Sequence, residues 1–502
     1  MIDMHPLTHA LEEAWRTVTM AAVIGDPIAQ SLSPAIHNYW CNRAGIEGVY
    51  LPIRVSDTQT DFNIALEGLR HSGFAGVNVT MPHKARAFGV GIQTDATSNL
   101  IKASNTLTFT QGGIEGANTD GYGFAAALRA QCRKYHSATP SRALILGAGS
   151  AASAVGVGLL TAGVKTIIVT NRTCAKAEVL ASLLTQQDDQ ASIRVVQWQD
   201  REHIDADLVV NATSLGMRNK PPLSFEFGTV PGTAIAADIV YDPLETPFLR
   251  RARARGLHTF NGLHMLVHQA VPGHHRWFGI EQTVDDDLYA HLLRTIEGTA
   301  KTGPFVIGLT GSIGMGKTTV AQMALEAGVP VWDADAAVHR LYRKNGRGAG
   351  ALKAVFPGAV GTTGVDRTKL AALVLGNPKK MRQLEAIIHP LVAVDRALFL
   401  REVERQGFAR CLLDIPLLFE GDFAASCDQT IVVSADAAVQ RERVLARPGM
   451  SAAKFEAILA KQMPDAEKRA RADHVIRTDS TLAETRAALL CVLEGTKELA
   501  KR

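Results

Sequence analysis

Glu297-Gly-Thr-Ala-Lys-Thr-Gly-Pro-Phe-Val-Ile-Gly-Leu-Thr-Gly-Ser-Ile-Gly-Met-Gly-Lys-Thr-Thr319 is the stretch on which the architecture of this 502-residue chain turns. Its first eight residues are small or polar and end in Gly-Pro, a composition that bounds domains. An apolar strand, Phe305 to Thr310, then opens directly into Gly311-x-x-x-x-Gly316-Lys317-Thr318. This is a complete phosphate-binding loop between a strand and a helix. Backbone N–H groups from Gly311, Ser312, Ile313, Gly314, Met315 and Gly316 through Thr319 are placed to cradle the phosphates of a nucleotide. Lys317 reaches the β and γ oxygens, and Thr318 is a ligand for Mg2+. The loop specifies phosphate binding but not the acceptor.

A second strand-to-glycine turn lies upstream. Ala143-Leu-Ile-Leu-Gly-Ala-Gly-Ser-Ala-Ala152 fits strand, G-x-G-x-x-A and helix. Gly147 permits the tight turn, and Gly149 lets a pyrophosphate approach the backbone. Ser150 and Ala151 open the helix, and the small Ala152 lets helix and strand pack closely. The next strand, Thr166 to Thr170, ends in Asn171-Arg172-Thr173, where NAD enzymes usually place an acid. An arginine there suits a 2′-phosphate, so NADP is expected, with Lys176 one turn on adding charge.

Two such openings about 160 residues apart cannot easily share one small sheet, so they belong to different domains. Strand-like runs (Met20–Gly25, Gly48–Val55, Gly76–Val79, Ala143–Leu146, Thr166–Thr170) alternate with helical stretches and predict an α/β fold with mostly parallel sheets. The expected layout is an α/β substrate domain at 1–120 completed by 260–297, and a Rossmann NADP-binding domain at 121–259. A linker at 298–303 and a P-loop kinase α/β domain at 304–502 follow.

Composition narrows the function classes. With 46% apolar and 20% charged residues the chain can bury sizeable cores, and a net charge of +4 argues against dedicated nucleic-acid binding. Six cysteines without a C-x-x-C pair indicate neither a zinc site nor a disulfide framework. Asp3, Glu12 and Glu13 stand where a signal peptide would be basic, and no run of about 18 apolar residues suggests a membrane span. A cytoplasmic protein acting on small molecules is the simplest expectation, with a homo-oligomer left open. His264 and His268 stand at i, i+4, a spacing that can bind zinc, but no neighbouring Glu or Cys completes a site.

Several further segments are specific as a set. Residues 25–38 read Gly-Asp-Pro-Ile-Ala-Gln-Ser-Leu-Ser-Pro-Ala-Ile-His-Asn, and residues 76–84 read Gly-Val-Asn-Val-Thr-Met-Pro-His-Lys. Ala-Ser-Asn-Thr at 103–106, Asn-Thr-Asp-Gly at 118–121, Asn-Ala-Thr-Ser-Leu-Gly-Met at 211–217 and Gly-Leu-His-Met-Leu-Val-His-Gln at 262–269 follow in order. This set resembles the shikimate dehydrogenase family over residues 20–280. The resemblance implies reversible reduction of the 3-dehydroshikimate carbonyl by NADPH, with Lys84 and Asp120 as the catalytic pair. It also implies a pocket of neutral hydrogen-bonding groups at Ser31, Ser33, Asn78, Thr80, Asn105 and Gln269, joined by Tyr241, and cofactor contacts from Met217 and Gly262. One departure is Lys102-Ala-Ser-Asn-Thr, where the family commonly has Gly-Ala-Val-Asn-Thr. Quinate or an amino-substituted analogue stays open as the substrate.

After residue 305, Val331-Trp-Asp-Ala-Asp335, Gly364-Val-Asp-Arg367, Ile387-Ile-His-Pro390, Leu413-Asp-Ile-Pro-Leu-Leu-Phe-Glu420 and Gln440-x-x-Arg-Val444 are similar to the dephospho-CoA kinase family. The resemblance implies attack of the 3′-hydroxyl of dephospho-CoA on the γ-phosphate of ATP. Asp335 is then the catalytic carboxylate, with Lys317 beside the transferring group. Asp414 assists Mg2+, Arg447 lies in the lid, and His389 belongs to the acceptor wall. A guanine-reading Asn-Lys-x-Asp, which a GTPase switch needs, is absent from the sequence. A scaffold that binds nucleotides without turnover is the non-enzyme alternative.

Overall fold

The computed structural model describes residues 5–298, 303–421 and 423–499, so residues 299–302 of the expected linker lie outside the described residues. The chain forms two compact units, Thr19–Glu297 and a second made of Met1–Val18 with Gly298–Arg502.

The Thr19–Glu297 unit contains two six-stranded sheets. In the first, the order is Gly48–Arg54, Thr19–Gly25, Gly76–Val79, Thr106–Thr110, Gly113–Ala117 and Gln93–Thr94. The first three strands are parallel to one another, and Thr106–Thr110 runs antiparallel to both of its neighbours. The second sheet is wholly parallel, ordered His258–Phe260, Ile235–Asp238, Leu208–Asn211, Arg142–Leu146, Thr166–Thr170 and Ser192–Val195. Each of the five strands expected from sequence forms within one residue of its expected ends. Their near-continuous apolar runs suit a parallel sheet covered on both faces.

The strand order of the second sheet reverses between Arg142–Leu146 and Leu208–Asn211, which leaves a crevice beyond their carboxyl ends. The glycine turn after Leu146 sits there. Gly147 takes φ 118°, and a β-carbon on it would lie 3.0 Å from the carbonyl oxygen of Ala212. The two sheets are joined through helix Asp120–Lys134, which packs on helix Ser150–Ala162 and on helix Gly262–Phe278. A β-carbon on Gly158 would stand 2.4 Å from Gly121 O, so only glycine lets these backbones meet. That close approach places the first turn of Asp120–Lys134 at the junction of substrate-side and cofactor-side layers.

The other unit is built on a five-stranded parallel sheet, ordered Val331–Asp333, Arg410–Asp414, Phe305–Thr310, Gln429–Ser434 and His474–Arg477. Phe305–Thr310 is buried throughout its length and lies at the centre, so the phosphate loop opens at the middle of the sheet. Ile307, Leu309, Leu412, Ile431 and Val433 form its core with Val320 and Leu489 from flanking helices. The 28-residue helix Pro378–Arg405 runs alongside.

Residues 1–18 depart from the expected layout, which assigned them to the substrate domain. They belong with Gly298–Arg502. Helix His5–Thr17 packs on helix Pro378–Arg405, with Leu7 and Leu11 buried and Trp15 hydrogen-bonded to Asp395. An amphipathic helix is stabilised by whatever covers its apolar face, and sequence neighbourhood does not decide what that is.

Candidate active sites

In the Thr19–Glu297 unit a network of side chains converges on Lys84 and Asp120. Lys84 begins helix Lys84–Val90, and Asp120 begins helix Asp120–Lys134. The Lys84 Nζ donates to Asp120 Oδ2 at 2.5 Å. Asn105 Nδ2 donates to the other carboxylate oxygen at 2.7 Å, and the Asp120 N–H donates to Asn118 Oδ1 at 3.1 Å. Asp120 is 8% exposed, so its carboxylate oxygens are satisfied by the Lys84 and Asn105 donors in place of water.

Neutral groups continue the network. Asn105 Nδ2 reaches Gln269 Oε1 at 3.3 Å, and Asn78 Nδ2 donates to Asn105 O at 3.1 Å. The Tyr50 hydroxyl donates to Asn78 Oδ1 at 2.6 Å, and Ser33 also hydrogen-bonds Tyr50. Burial pushes the Tyr50 phenol well above its ordinary range, so it acts as a neutral donor. His37, held neutral by burial, stacks on the Tyr50 ring at 4.1 Å. Of the residues expected from sequence, Lys84, Asp120, Asn78, Asn105, Gln269 and Ser33 are thus brought together. Ser31 Oγ lies 3.4 Å from the Ser33 N–H, and Thr80 follows strand Gly76–Val79. Tyr241 instead packs half-buried against an apolar cluster containing Trp40 and Leu263.

Tyr50 and Thr119 were not among the sequence candidates. Tyr50 enters through strand register, since Ala21 pairs with Tyr50 on one side of strand Thr19–Gly25 and Val23 pairs with Asn78 on the other. Thr119, whose N–H and hydroxyl both reach Asn105 Oδ1, was legible in the quoted Asn-Thr-Asp-Gly motif. Lys102 has a backbone explanation. It caps helix Ala96–Ile101 at φ 54°, the left-handed region that favours glycine, and its ammonium lies over Phe88. His264 is hydrogen-bonded to the Tyr289 hydroxyl at 2.8 Å, and burial lowers both His264 and His268 to about 4.

The glycine turn beyond the second sheet leaves room for a pyrophosphate. A β-carbon on Gly149 would meet nothing within 4 Å, leaving the helix N-terminus at Ser150, Ala151 and Ala152 open to an anion. Arg172 and Lys176 are both exposed beyond strand Thr166–Thr170, beside Asn171 and Thr173. Met217 is 37% exposed. Gly262 serves packing, since a β-carbon on it would lie 2.0 Å from Ile239 O.

In the other unit, residues Gly311 to Thr319 line a cavity of about 550 Å³ with Asp335, Arg443, Arg447, Gln462 and Thr478. Gln440 Nε2 donates to Ile313 O at 2.7 Å, the Ile313 N–H donates to Gln462 Oε1 at 3.1 Å, and the Thr478 hydroxyl donates to Met315 O at 2.8 Å. Lys317 Nζ is ion-paired with Asp414 Oδ1, and Asp414 is 2% exposed. Burial, helped by the charges of Asp333 and Asp335, raises the Asp414 carboxyl to about 6 against the pull of Lys317. Three carboxylates and a lysine therefore share one electrostatic neighbourhood beside the phosphate loop. Magnesium bound through one or two carboxylates, a hydroxyl and substrate phosphates suits Thr318 and Asp414. Asp335 and Arg447 face the same cavity as the loop, as expected. His389 is exposed on helix Pro378–Arg405 and does not line it. Gln462 was missed because no local motif marks it, whereas Arg443 lies inside the quoted Gln440-x-x-Arg-Val444 and was legible there without being singled out.

Comparison with known proteins agrees with both halves. Residues 23–107 match the family described as shikimate dehydrogenase substrate binding domain, residues 130–216 match shikimate / quinate 5-dehydrogenase, and residues 305–484 match dephospho-CoA kinase. The chain is 45% identical over 284 residues to a shikimate dehydrogenase (NADP(+)) from Acidiphilium cryptum, covering 56% of this chain and 97% of that relative. A shikimate 5-dehydrogenase from Listeria monocytogenes, solved with shikimate and NAD, is 27% identical with a TM-score of 0.50, covering 55% of this chain and 96% of that one. A quinate dehydrogenase from Corynebacterium glutamicum, solved with NAD, is 28% identical with a TM-score of 0.50, covering 55% and 99%.

Proposed function

This chain belongs to the shikimate dehydrogenase family and carries a dephospho-CoA kinase domain after it, and from that premise we propose one reaction for each unit. The Thr19–Glu297 unit interconverts 3-dehydroshikimate and shikimate with NADPH. The Lys84–Asp120 pair at 2.5 Å, set among neutral hydrogen-bonding groups, carries this reading. Bound NADPH supplies the hydride. The reacting oxygen then needs a proton as charge develops on it, and Lys84 and Asp120 hold that oxygen and exchange its proton. Asn105 keeps Asp120 oriented. Asn78, Ser33 and Gln269 bind the ring hydroxyls, and such neutral hydrogen-bonding groups suit a phosphate-free substrate.

The kinase domain transfers the γ-phosphate of ATP to the 3′-hydroxyl of dephospho-CoA. Asp335, facing the cavity that the phosphate loop lines, carries this reading. It orients and deprotonates the attacking hydroxyl. Lys317 moves from Asp414 to the β and γ oxygens, and Arg447 neutralises charge from the lid side. The reactants and products are small molecules.

Pure protein incubated with shikimate and NADP+, and separately with dephospho-CoA and ATP, tests both readings. Turnover in each assay is expected, with quinate and GTP as the poorer alternatives. A silent assay removes the corresponding reaction.

Cofactor choice gives a sharper prediction. Arg172→Ala is expected to raise the KM for NADP+ by about 10–150-fold, the scale of one lost charge-assisted hydrogen bond of about 1.5–3 kcal/mol, while the KM for NAD+ moves little. Initial-rate kinetics with both cofactors decide it. An equal loss for both would mean that Arg172 shapes the loop and does not read the 2′-phosphate.

A further inference from the structure

The catalytic carboxylate assigned to the kinase is held in place from the far end of the chain. Asp395, on helix Pro378–Arg405, is fully buried. Its Oδ1 accepts from Trp332 Nε1 at 2.7 Å and from an Arg340 Nη at 2.6 Å. Its Oδ2 accepts from Trp15 Nε1 at 2.9 Å, and from Arg340 Nε only at 3.4 Å. Trp332 lies in strand Val331–Asp333 and Arg340 in helix Ala334–Tyr342, so one carboxylate grips both ends of the segment that presents Asp335. Between them, Asp333 caps that helix by accepting from the Ala336 N–H at 2.9 Å.

A buried carboxylate is held in one orientation only while both oxygens have donors. Without Trp15, Oδ2 keeps, among the described residues, a single long contact. The remainder of the N-terminal helix is seated to deliver that donor. Leu7 and Leu11 are buried against the same unit, Glu12 pairs with Arg343 at 3.5 Å, and an Arg347 Nη reaches Trp15 O at 3.5 Å.

We propose that helix His5–Thr17 is a positioning element of the kinase, in which Trp15 completes the coordination of Asp395 and so fixes Asp335 toward the phosphate loop. This rests on the assignment of Asp335 as the group that activates the acceptor hydroxyl. Trp15 touches neither nucleotide nor acceptor; it acts through Asp395 and the 332–340 segment. The chain that folds as a dehydrogenase is therefore bracketed on both sides by parts of the kinase.

The test is made in the full chain. Trp15→Phe keeps an aromatic side chain and removes the indole N–H together with the five-membered ring that carries it. Kinase kcat is expected to fall by about 3–10-fold, the scale of one hydrogen bond, with the KM for ATP within about twofold and dehydrogenase rates unchanged. Trp15→Ala should lose at least as much; should it fail to fold, the phenylalanine variant carries the test. Adding Trp15→Phe to Asp335→Asn separates positioning from mere support. If Trp15 acts through Asp335, the residual rate of Asp335→Asn is not lowered further. Wild-type kcat in Trp15→Phe, or the same fractional loss in both backgrounds, overturns the positioning role alone. Failure of the wild-type chain to phosphorylate dephospho-CoA, or full activity of Asp335→Asn, overturns the kinase assignment and this role with it.

Discussion

Lys84→Ala is expected to lower shikimate oxidation by roughly 10²–10⁴-fold, the usual worth of a positioned acid–base group. The substitution removes the ammonium that donates to Asp120, leaving that carboxylate, among the described residues, with the Asn105 amide. The reacting oxygen then loses the group that holds its proton, while the ring-binding side chains Asn78, Ser33 and Gln269 remain. The loss should therefore fall chiefly on kcat, with a smaller change in the KM for shikimate. Kinase turnover by the same molecules is the internal standard, because the phosphate loop and Asp335 lie in the other unit. Steady-state kinetics of both reactions on one preparation decide the matter. Near wild-type NADP+ reduction would falsify the role given to Lys84.

Asp335→Asn should have an effect of similar size on the other reaction. Asparagine keeps the volume at the first turn of helix Ala334–Tyr342 but cannot take a proton from the ribose hydroxyl. CoA formation is expected to fall by roughly 10²–10⁴-fold. ATP binding should persist, because the loop from Gly311 to Thr319 and its supports Gln440, Gln462 and Thr478 are untouched. The measurement pairs an ATP titration by calorimetry with a CoA-forming assay. Loss of ATP affinity in step with rate would move Asp335 from the acceptor side to the nucleotide side.

Both glycine turns could be read from sequence because everything they need is local: an apolar strand, a turn with little side chain, and a helix start. Lys84, Asp120 and Asp335 were legible for the same reason, each lying inside a contiguous motif. Tyr50 was not, because it reaches Asn78 only through pairing across strand Thr19–Gly25. Gln462 reaches the phosphate loop from about 150 residues away in sequence, a contact that no local pattern encodes. The Lys102 departure read as a change near the substrate, and the structure makes it a backbone position with left-handed φ. Residues 1–18 were misplaced because their periodic apolar face declares a helix without declaring its partner.

The placement of that helix has a consequence for the order in which the two activities appear on a ribosome. A 13-residue helix is marginal in water by itself. Its partner, helix Pro378–Arg405, follows roughly 360 residues later, a delay of about 20–70 s at ~5–20 residues per second. During that interval the Thr19–Glu297 unit is completed and can fold, since, among the described residues, both of its sheets are built from strands within Thr19–Phe260. Each new chain thus completes its dehydrogenase unit first, and the kinase reaches its full rate when the later carboxyl-terminal part reaches back to capture a helix made more than a domain earlier.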